Sequence, residues 1–359
     1  MANRKTWIII LLVILIAVGL AILSFFLFRY FLPELPETHS ETQEYVFVDD
    51  PDSTLYVSQN EGELWRGISD VRISVGLIHA DVARSRFLVG ATDNGLWYVD
   101  MKKTDVMREI SSTAKLVDVE SREQSKDIIA ATLSNGRGYV VRMNDQNFEE
   151  LFFAPLERDS VGTIAVDDFQ QGVIYAGAGK ELYISEDNGM TWRIFHQFRR
   201  KITQVILHPN VAGWCLVSLE NGDLYRSSDF GSTWEEISKG LSRLKGSKKN
   251  QRIISVKSAS AFYVTSDFGL LRSLDNASSW QDIPLLVPSG SLPIIGFAVH
   301  PNKPNTLFVS AANQLYKSED GGRTWKGILF SEKSAINIIS ISPVHPYTLL
   351  VGFTRPRRF

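Results

Sequence analysis

From residue 45 onward the chain is built of short apolar runs separated by turns rich in Gly, Pro, Asn and Asp. Runs of that length between such turns predict β-strands. Pairs of runs joined by a turn recur as "QVILHPNVAGWCLVS" (204–218), "GFAVHPNKPNTLFVS" (296–310) and "ISISPVHPYTLLVG" (339–352). The His-Pro-Asn and Pro-Val-His-Pro turns have the chemistry that joins adjacent strands. A third short strand stands further on in the units that follow: "ELYIS", "DLYRS", "LLRS" and "QLYKS". The same frame is visible earlier in "RFLVGATDNGLWYV" (86–99) and "DIIAATLSNGRGYVV" (127–141), each with an Asn-Gly turn between a second and a third strand. Stepping along the chain yields six complete four-strand units, starting near Ser74, Leu116, Gly162, Ile202, Ile253 and Ile294. A seventh, begun at Ile336, has only two strands.

The third strand of four units runs into a repeated box, S-x-D-x-G-x-[TS]-W. It reads "SEDNGMTW" (Ser185, Asp187, Gly189, Trp192), "SSDFGSTW" (Ser227, Asp229, Gly231, Trp234) and "SEDGGRTW" (Ser318, Asp320, Gly322, Trp325). A worn copy, "SLDNASSW", keeps Asp275 and Trp280 but has lost the glycine. The tryptophans are 42, 46 and 45 residues apart, a period that with strand-rich units marks the blades of a β-propeller. The box falls where the third strand turns into the fourth. There Ser and Asp bond the turn's own backbone, Gly supplies a positive φ, and Trp covers the layer between blades. A ring has one axis, whereas these aspartates repeat in blade after blade at its periphery. They are expected to serve shape rather than catalysis.

The fold class expected is therefore all-β, a single propeller. Its first runs, "YVFVDD" and "TLYVS", are left over, and pairing them onto the last strands would close the ring and remove its open edges. Seven blades follow from that closure. Eight is the alternative, with "TLYVSQNEGELW" as a short blade of its own.

The boxes resemble the Asp-box (BNR) repeats of sialidases, sortilin-type receptors, xyloglucan hydrolases and photosystem II assembly propellers. The resemblance covers 185–325 by the boxes and about 45 to the C-terminus by the blade pattern. It implies a propeller and leaves function open, because families with unrelated roles share it. Sialidase catalysis does not carry over: that family opens on an Arg-Ile-Pro motif, which this chain lacks. Xyloglucan hydrolases resemble two such propellers in tandem, and this chain has room for one.

Other candidate chemistry reduces to turns. Asp49-Asp50 and Asp167-Asp168 invite an acid/base reading, yet both pairs follow a first strand, at the turn where other units write His-Pro-Asn. His208, His300 and His345 occupy that turn in three different blades, too far apart to share a zinc ion. Neither a phosphate-binding glycine loop nor a nucleophile elbow is present. No cofactor and no metal site is expected.

The N-terminus changes the picture. Trp7 to Phe28 are 22 consecutive uncharged residues, enough helix to cross a bilayer core. Arg4 and Lys5 before them favour a cytoplasmic N-terminus. The expected organisation is a cytoplasmic end (1–6), a transmembrane anchor (7–28), a Pro/Glu/Thr-rich stalk (29–44) and the propeller (45–359). Large apolar residues continue through Phe28, which argues against a cleaved signal peptide. A lone cysteine, Cys215, rules out an internal disulfide, and an extracytoplasmic domain without one suits a bacterial cell membrane.

Beyond Arg29 the chain holds 35 basic and 40 acidic residues, so its charge is about −5 and any basic patch on it is local. Such a patch is expected on two consecutive blade-to-blade connectors. "HQFRRK" carries Arg199, Arg200 and Lys201; "SKGLSRLKGSKKNQR" carries Lys239, Arg243, Lys245, Lys248, Lys249 and Arg252. A third connector, "LLVPSGSLP" (285–293), is apolar and bent. The basic sector suits a protein or an anionic polymer as partner, while nucleic acid is not expected for a domain outside the membrane, and no aromatics interleave the second connector for base stacking. The leading functional expectation is a membrane-anchored, non-enzymatic binding or assembly module. A carbohydrate-active enzyme or carbohydrate-binding propeller is the alternative. Paired carboxylates with aromatic platforms around the axis would favour the second; an aliphatic channel would favour the first.

Overall fold

The structure is a computed structural model that describes residues 45–48, 53–68, 73–104, 106–121, 126–144, 147–155, 160–242, 244–285, 293–330 and 334–354. The expected cytoplasmic end, anchor and stalk lie outside these residues, as do Asp49, Asp50, Arg243 and most of the apolar connector. Among the described residues no helix is long and apolar enough to cross a membrane.

Seven antiparallel four-stranded sheets form the seven blades of a propeller. The innermost strands are Val75–Asp81, Leu116–Ser121, Val161–Val166, Ile202–Leu207, Arg252–Val256, Phe297–His300 and Ala335–Ile341, named here as the first strands of blades I to VII. Six blades are continuous in sequence, and their starts agree with the repeat within a few residues. The seventh is composite. Its inner strands, Ala335–Ile341 and Leu349–Thr354, are completed by Leu55–Ser58 and Arg66–Gly67, with Leu55 opposite Gly352. "TLYVS" therefore closes the ring, and the eight-blade alternative fails.

The other N-terminal run goes elsewhere. Tyr45–Val48 pairs in parallel with Lys326–Phe330 and becomes a fifth strand on the outer edge of blade VI. The N-terminal segment thus spans two blades and binds them side by side. Across that joint Tyr56, fully buried, packs its ring at 4.9 Å from Phe330 and 5.3 Å from Phe353. At the rim Lys317, itself buried, pairs with Glu63 at 2.5 Å and Glu319 at 2.9 Å, while Glu61 pairs with Lys303 at 2.5 Å.

Apolar clusters fill the layers between neighbouring blades. Trp192, Trp234, Trp280 and Trp325 each pack against one of them, as the repeat predicts. Blades converge toward the axis, so their second strands need small residues there. A Cβ on Gly352 would come within 2.5 Å of Val75, on the next blade of the ring, and one on Gly177 within 2.9 Å of Ile202.

The boxes share one hydrogen-bond set. Ser185 Oγ donates to Asp187 Oδ1 at 2.8 Å and accepts from Gly189 N–H at 2.7 Å, while Asp187 Oδ1 accepts from Thr191 N–H at 2.9 Å. The same bonds recur at Ser227, Ser273 and Ser318. A fifth copy, which the sequence pattern missed, stands at "SQNEGELW". Here Asn60 replaces the aspartate: Ser58 Oγ donates to Asn60 Oδ1, Gly62 N–H donates to Ser58 Oγ, and Leu64 N–H donates to Asn60 Oδ1, each at 2.9 Å. An amide oxygen accepts the same bonds as a carboxylate, so the geometry survives without the charge.

That substitution permits a test. The hydroxyl and N–H of Thr191 hold the Asp187 carboxyl at about 2. Partial burial pushes Asp320 up, but bonds from Thr324, Ser318 and Arg323 N–H outweigh it and hold this group at about 2 as well. A carboxyl depressed in the fold stabilises it fully above the unfolded pKa, near 4, and loses that contribution as pH falls toward 2. Thermal melts of Asp187→Asn and Asp320→Asn should converge on wild type between pH 4 and pH 2. Equal differences at pH 6 and pH 2 would refute an ionised box.

Candidate active site in the axial channel

Five of the seven first strands carry a bulge at their second or third residue: Gly76, Val117, Gly162, Thr203 and Asn337. An extra residue there increases the local twist and re-aims the side chain that follows. In three consecutive blades that next side chain is polar and reaches the backbone of the following blade. Asp118 Oδ2 accepts from Ile164 N–H at 3.0 Å, and Thr163 Oγ1 accepts from Val205 N–H at 3.2 Å. Gln204 grips Ile253 twice, accepting from its N–H at 2.8 Å and donating to its carbonyl at 3.2 Å. A belt of polar side chains therefore stitches blades II to V around the axis. By the same register Arg252 stands at this level in blade V.

The belt lines a cavity of about 720 Å³ bounded mainly by the first strands of blades I to V, within the range of about 300–1,000 Å³ usual for ligand pockets. Carboxylates dominate it. Asp118 and Glu120 project from the first strand of blade II, and Asp167 and Asp168 follow the first strand of blade III. Two residues along a strand separate Asp118 from Glu120, which sets their Cα atoms roughly 6.6 Å apart.

Their environments differ. Burial pushes Glu120 up, and the neighbouring charges of Asp118 and Asp168 push it further, to about 8. Burial raises Asp118 too, but bonds from Ile164 N–H, Thr163 and Val119 N–H, with the charge of Arg252, pull it back. Glu120 accepts no hydrogen bond from the described residues. The proton of this group therefore rests on Glu120 at neutral pH. Both residues stay partly accessible because they face the lumen, although protein surrounds them. On the other side of Glu120's strand, His79 lies 2.8 Å from Ser121 Oγ, and burial lowers it to about 4 against the pull of Asp81, which keeps the imidazole neutral.

Asp167 behaves as a turn residue: its Oδ1 accepts from Phe169 N–H at 2.7 Å and Gln170 N–H at 3.0 Å. Asp168, next along the same turn, also lines the cavity, within electrostatic reach of Glu120 and beside the half-exposed ring of Phe169. His208 and His300 bond their own turns, accepting at Nδ1 from Asn210 N–H and Asn302 N–H.

The basic connectors divide. Arg199, Arg200 and Lys201 are exposed on the blade III–IV connector. The next connector is folded rather than a solvated loop. Lys239–Ser242 forms a helical turn, Leu241 is fully buried against blades IV and V, and Ser247 Oγ donates to the Leu241 carbonyl at 2.8 Å. Lys245 and Lys249 are exposed, whereas Lys248 is half-buried in an ion pair with Asp223 at 2.6 Å. Arg252 leaves this sector and lines the cavity.

Sequence reasoning passed over Asp118, Glu120 and His79. The signal was present in "LVDVES". Two carboxylates interrupt a first strand there, where the equivalent strands of other blades read "GTIAV", "TQVIL", "IISV" and "INIISI".

The molecule is thus a seven-bladed propeller with an acidic axial cavity. It is related distantly to two propeller groups. The family model for sortilin (Sortilin-Vps10; neurotensin receptor 3) matches residues 222–339, about a third of the chain. The solved structure of YCF48 bound to D1 peptide matches with a TM-score of 0.58 at 15% identity, covering 88% of this chain and all of that one. Among curated proteins, a xyloglucanase of Hypocrea jecorina (strain QM6a) is 28% identical over 164 residues, covering 44% of this chain and 18% of the relative. The GH74 xyloglucanase of Xanthomonas campestris matches in structure with a TM-score of 0.60 at 17% identity, over 81% of this chain and 52% of that one. The chain therefore spans about half of the solved xyloglucanase and less than a fifth of the curated one.

These matches overturn the leading expectation. A purely non-enzymatic binding or assembly module was expected because no sialidase motif is present, but the curated sequence likeness runs to a xyloglucanase. The physical reason is that carboxylates suited to acid/base work came from a first strand and its neighbour's turn, which no linear motif marks.

Proposed function

We propose that the chain is a carbohydrate-active propeller of the glycoside hydrolase type, acting on a polysaccharide at the axial cavity. The observation that carries the reading is a protonated Glu120 and the carboxylate Asp168 lining one cavity within electrostatic reach of each other. Glu120 donates its proton to the glycosidic oxygen as the C–O bond breaks. Asp168 takes a proton from the water that attacks the anomeric carbon, which is the division of labour of paired-carboxylate glycosidases. Phe169 offers an apolar face beside them. Likeness to a xyloglucanase directs the first choice of substrate to β-linked glucan backbones.

In this reading the five turns are Asp-box repeats, supported by their common Ser–Asp(Asn)–Gly bonds. Residues 7–28 are an anchor and 29–44 a stalk that hold the propeller outside a cell membrane, supported by the uncharged run and its flanking charges. The test is reducing-end release, with retention on insoluble polysaccharide measured in parallel. Xyloglucan, unsubstituted β-glucan and an α-glucan are each incubated with the full chain in detergent. Release or retention confined to the β-linked substrates is expected. Neither release nor retention on any of the three would sink the reading.

A further inference from the structure

Arg252 is the only Lys or Arg among the described residues around the cavity. Protein surrounds it, yet its side chain keeps a large accessible area because it stands in the lumen. Among the described residues no carboxylate forms an ion pair with it and no acceptor takes a hydrogen bond from it. Asp118 acts on it only through space, and the Asp118 oxygens are already engaged by backbone N–H groups.

Its belt position explains the vacancy. Asp118, Thr163 and Gln204 accept a backbone N–H from the next blade, but a guanidinium has donors only and cannot do the same. The backbone around it is nonetheless clamped. Gln251 accepts from Ser218 Oγ at 3.0 Å and donates to the Ser247 carbonyl at 3.2 Å, while both polar groups of Ile253 are held by Gln204. The result is a fixed, unspent cation in a cavity that otherwise carries carboxylates.

We propose that Arg252 forms an anion subsite in the axial cavity that takes the carboxylate of an acidic sugar, so that the glycan handled there contains uronic acid residues. The inference rests on the glycan reading above and names its substrate class. A planar carboxylate matches the guanidinium fork through two parallel hydrogen bonds. Asp118, Asp167 and Asp168 share the cavity, so a dianionic group such as a phosphate ester meets more repulsion there than a single carboxylate does. Uronate-bearing chains also differ from neutral ones at the position of that one carboxylate, which makes Arg252 a specificity residue rather than a catalytic one.

The test compares four oligosaccharides by calorimetry on the full chain: a β-1,4-linked mannuronate tetramer, its carboxyl-reduced neutral counterpart, a sulfated neutral tetramer and a β-glucan tetramer. Wild type should bind the uronate at least 10-fold more tightly than the reduced form. Arg252→Gln should erase that preference while leaving affinity for the neutral oligomers and the melting temperature unchanged, and Arg252→Lys should restore only part of it. Neutral oligomers bound as tightly as the uronate, with Arg252→Gln indifferent, would overturn the subsite and leave the glycan reading standing. Sulfated tetramer bound as well as the uronate through Arg252 would overturn the carboxylate assignment. Binding of none of the four would remove the glycan reading and the subsite together.

Discussion

Glu120→Gln is expected to lower kcat for glycan hydrolysis by about 10²–10⁴-fold, the usual worth of a positioned proton donor. The amide keeps the size and the hydrogen-bonding face of the side chain but has no proton to give. The wild-type profile of kcat/KM should fall through an alkaline limb near pH 8, where burial and the charges of Asp118 and Asp168 set the Glu120 carboxyl. The variant should lack that limb. Stability supplies a second, independent readout. A glutamate whose pKa is raised in the fold makes the native state progressively less stable as pH climbs from its unfolded value, near 4.5, to about 8. Glu120→Gln removes that penalty, so it should melt above wild type at pH 9 and close to it at pH 4. An unchanged kcat, or a variant less stable than wild type at pH 9, would show that Glu120 is not the buried acid described.

The second large effect concerns the closing blade. Tyr56→Ala should cost about 3–5 kcal/mol, the range for deleting a buried aromatic ring. The ring sits between Phe330 and Phe353 and belongs to the cluster that joins blades VI and VII. Removing it weakens the N-terminal segment that joins blades VI and VII and closes the ring. Denaturant unfolding followed by tryptophan fluorescence should show a lower midpoint. Proteolysis should then cut first near residues 59–64, before the blades themselves. Glu63→Gln, which leaves Lys317 its Glu319 partner, should cost far less, because rim ion pairs are worth about 0–1 kcal/mol. If the two variants lose the same amount, closure depends on charge rather than on the packed ring.

Much of the architecture was legible because a propeller repeats its local chemistry. The unit starts at Ser74, Leu116 and Ile202 fall within a residue of the first strands, since apolar runs and turn residues carry that information locally. The fate of Tyr45–Val48 was not legible. Which sheet edge an extended run joins depends on edges left open far along the chain, and here the free edge of Lys326–Phe330 won over blade VII. The candidate site was harder still. Asp118 and Glu120 look like two polar positions of a half-exposed strand, and only the ring makes that strand's face an enclosed lumen. Asp167 and Asp168 were assigned to a turn because they follow a first strand where other units write His-Pro-Asn, and Asp167 does make one; that the same turn lines an enclosed cavity was not legible. Arg252 was grouped with Lys245 and Lys249 by nearness in sequence, although the first residue of a strand and the preceding connector face different surroundings.

The composite seventh blade also sets the order of events during biosynthesis. Leu55–Ser58 finds its partner in Leu349–Thr354, a contact between positions roughly 300 apart, and such distant pairings are formed late and slowly. On a ribosome the first of these strands must wait, paired only with its neighbour Arg66–Gly67, while six blades are made. During that interval blade VI has no neighbour on one side and the apolar rings of Tyr56 and Phe330 are open to solvent. The nascent chain is therefore most prone to mispair with another copy of itself just before completion, and a chaperone that shields residues 45–67 would act at that one late window.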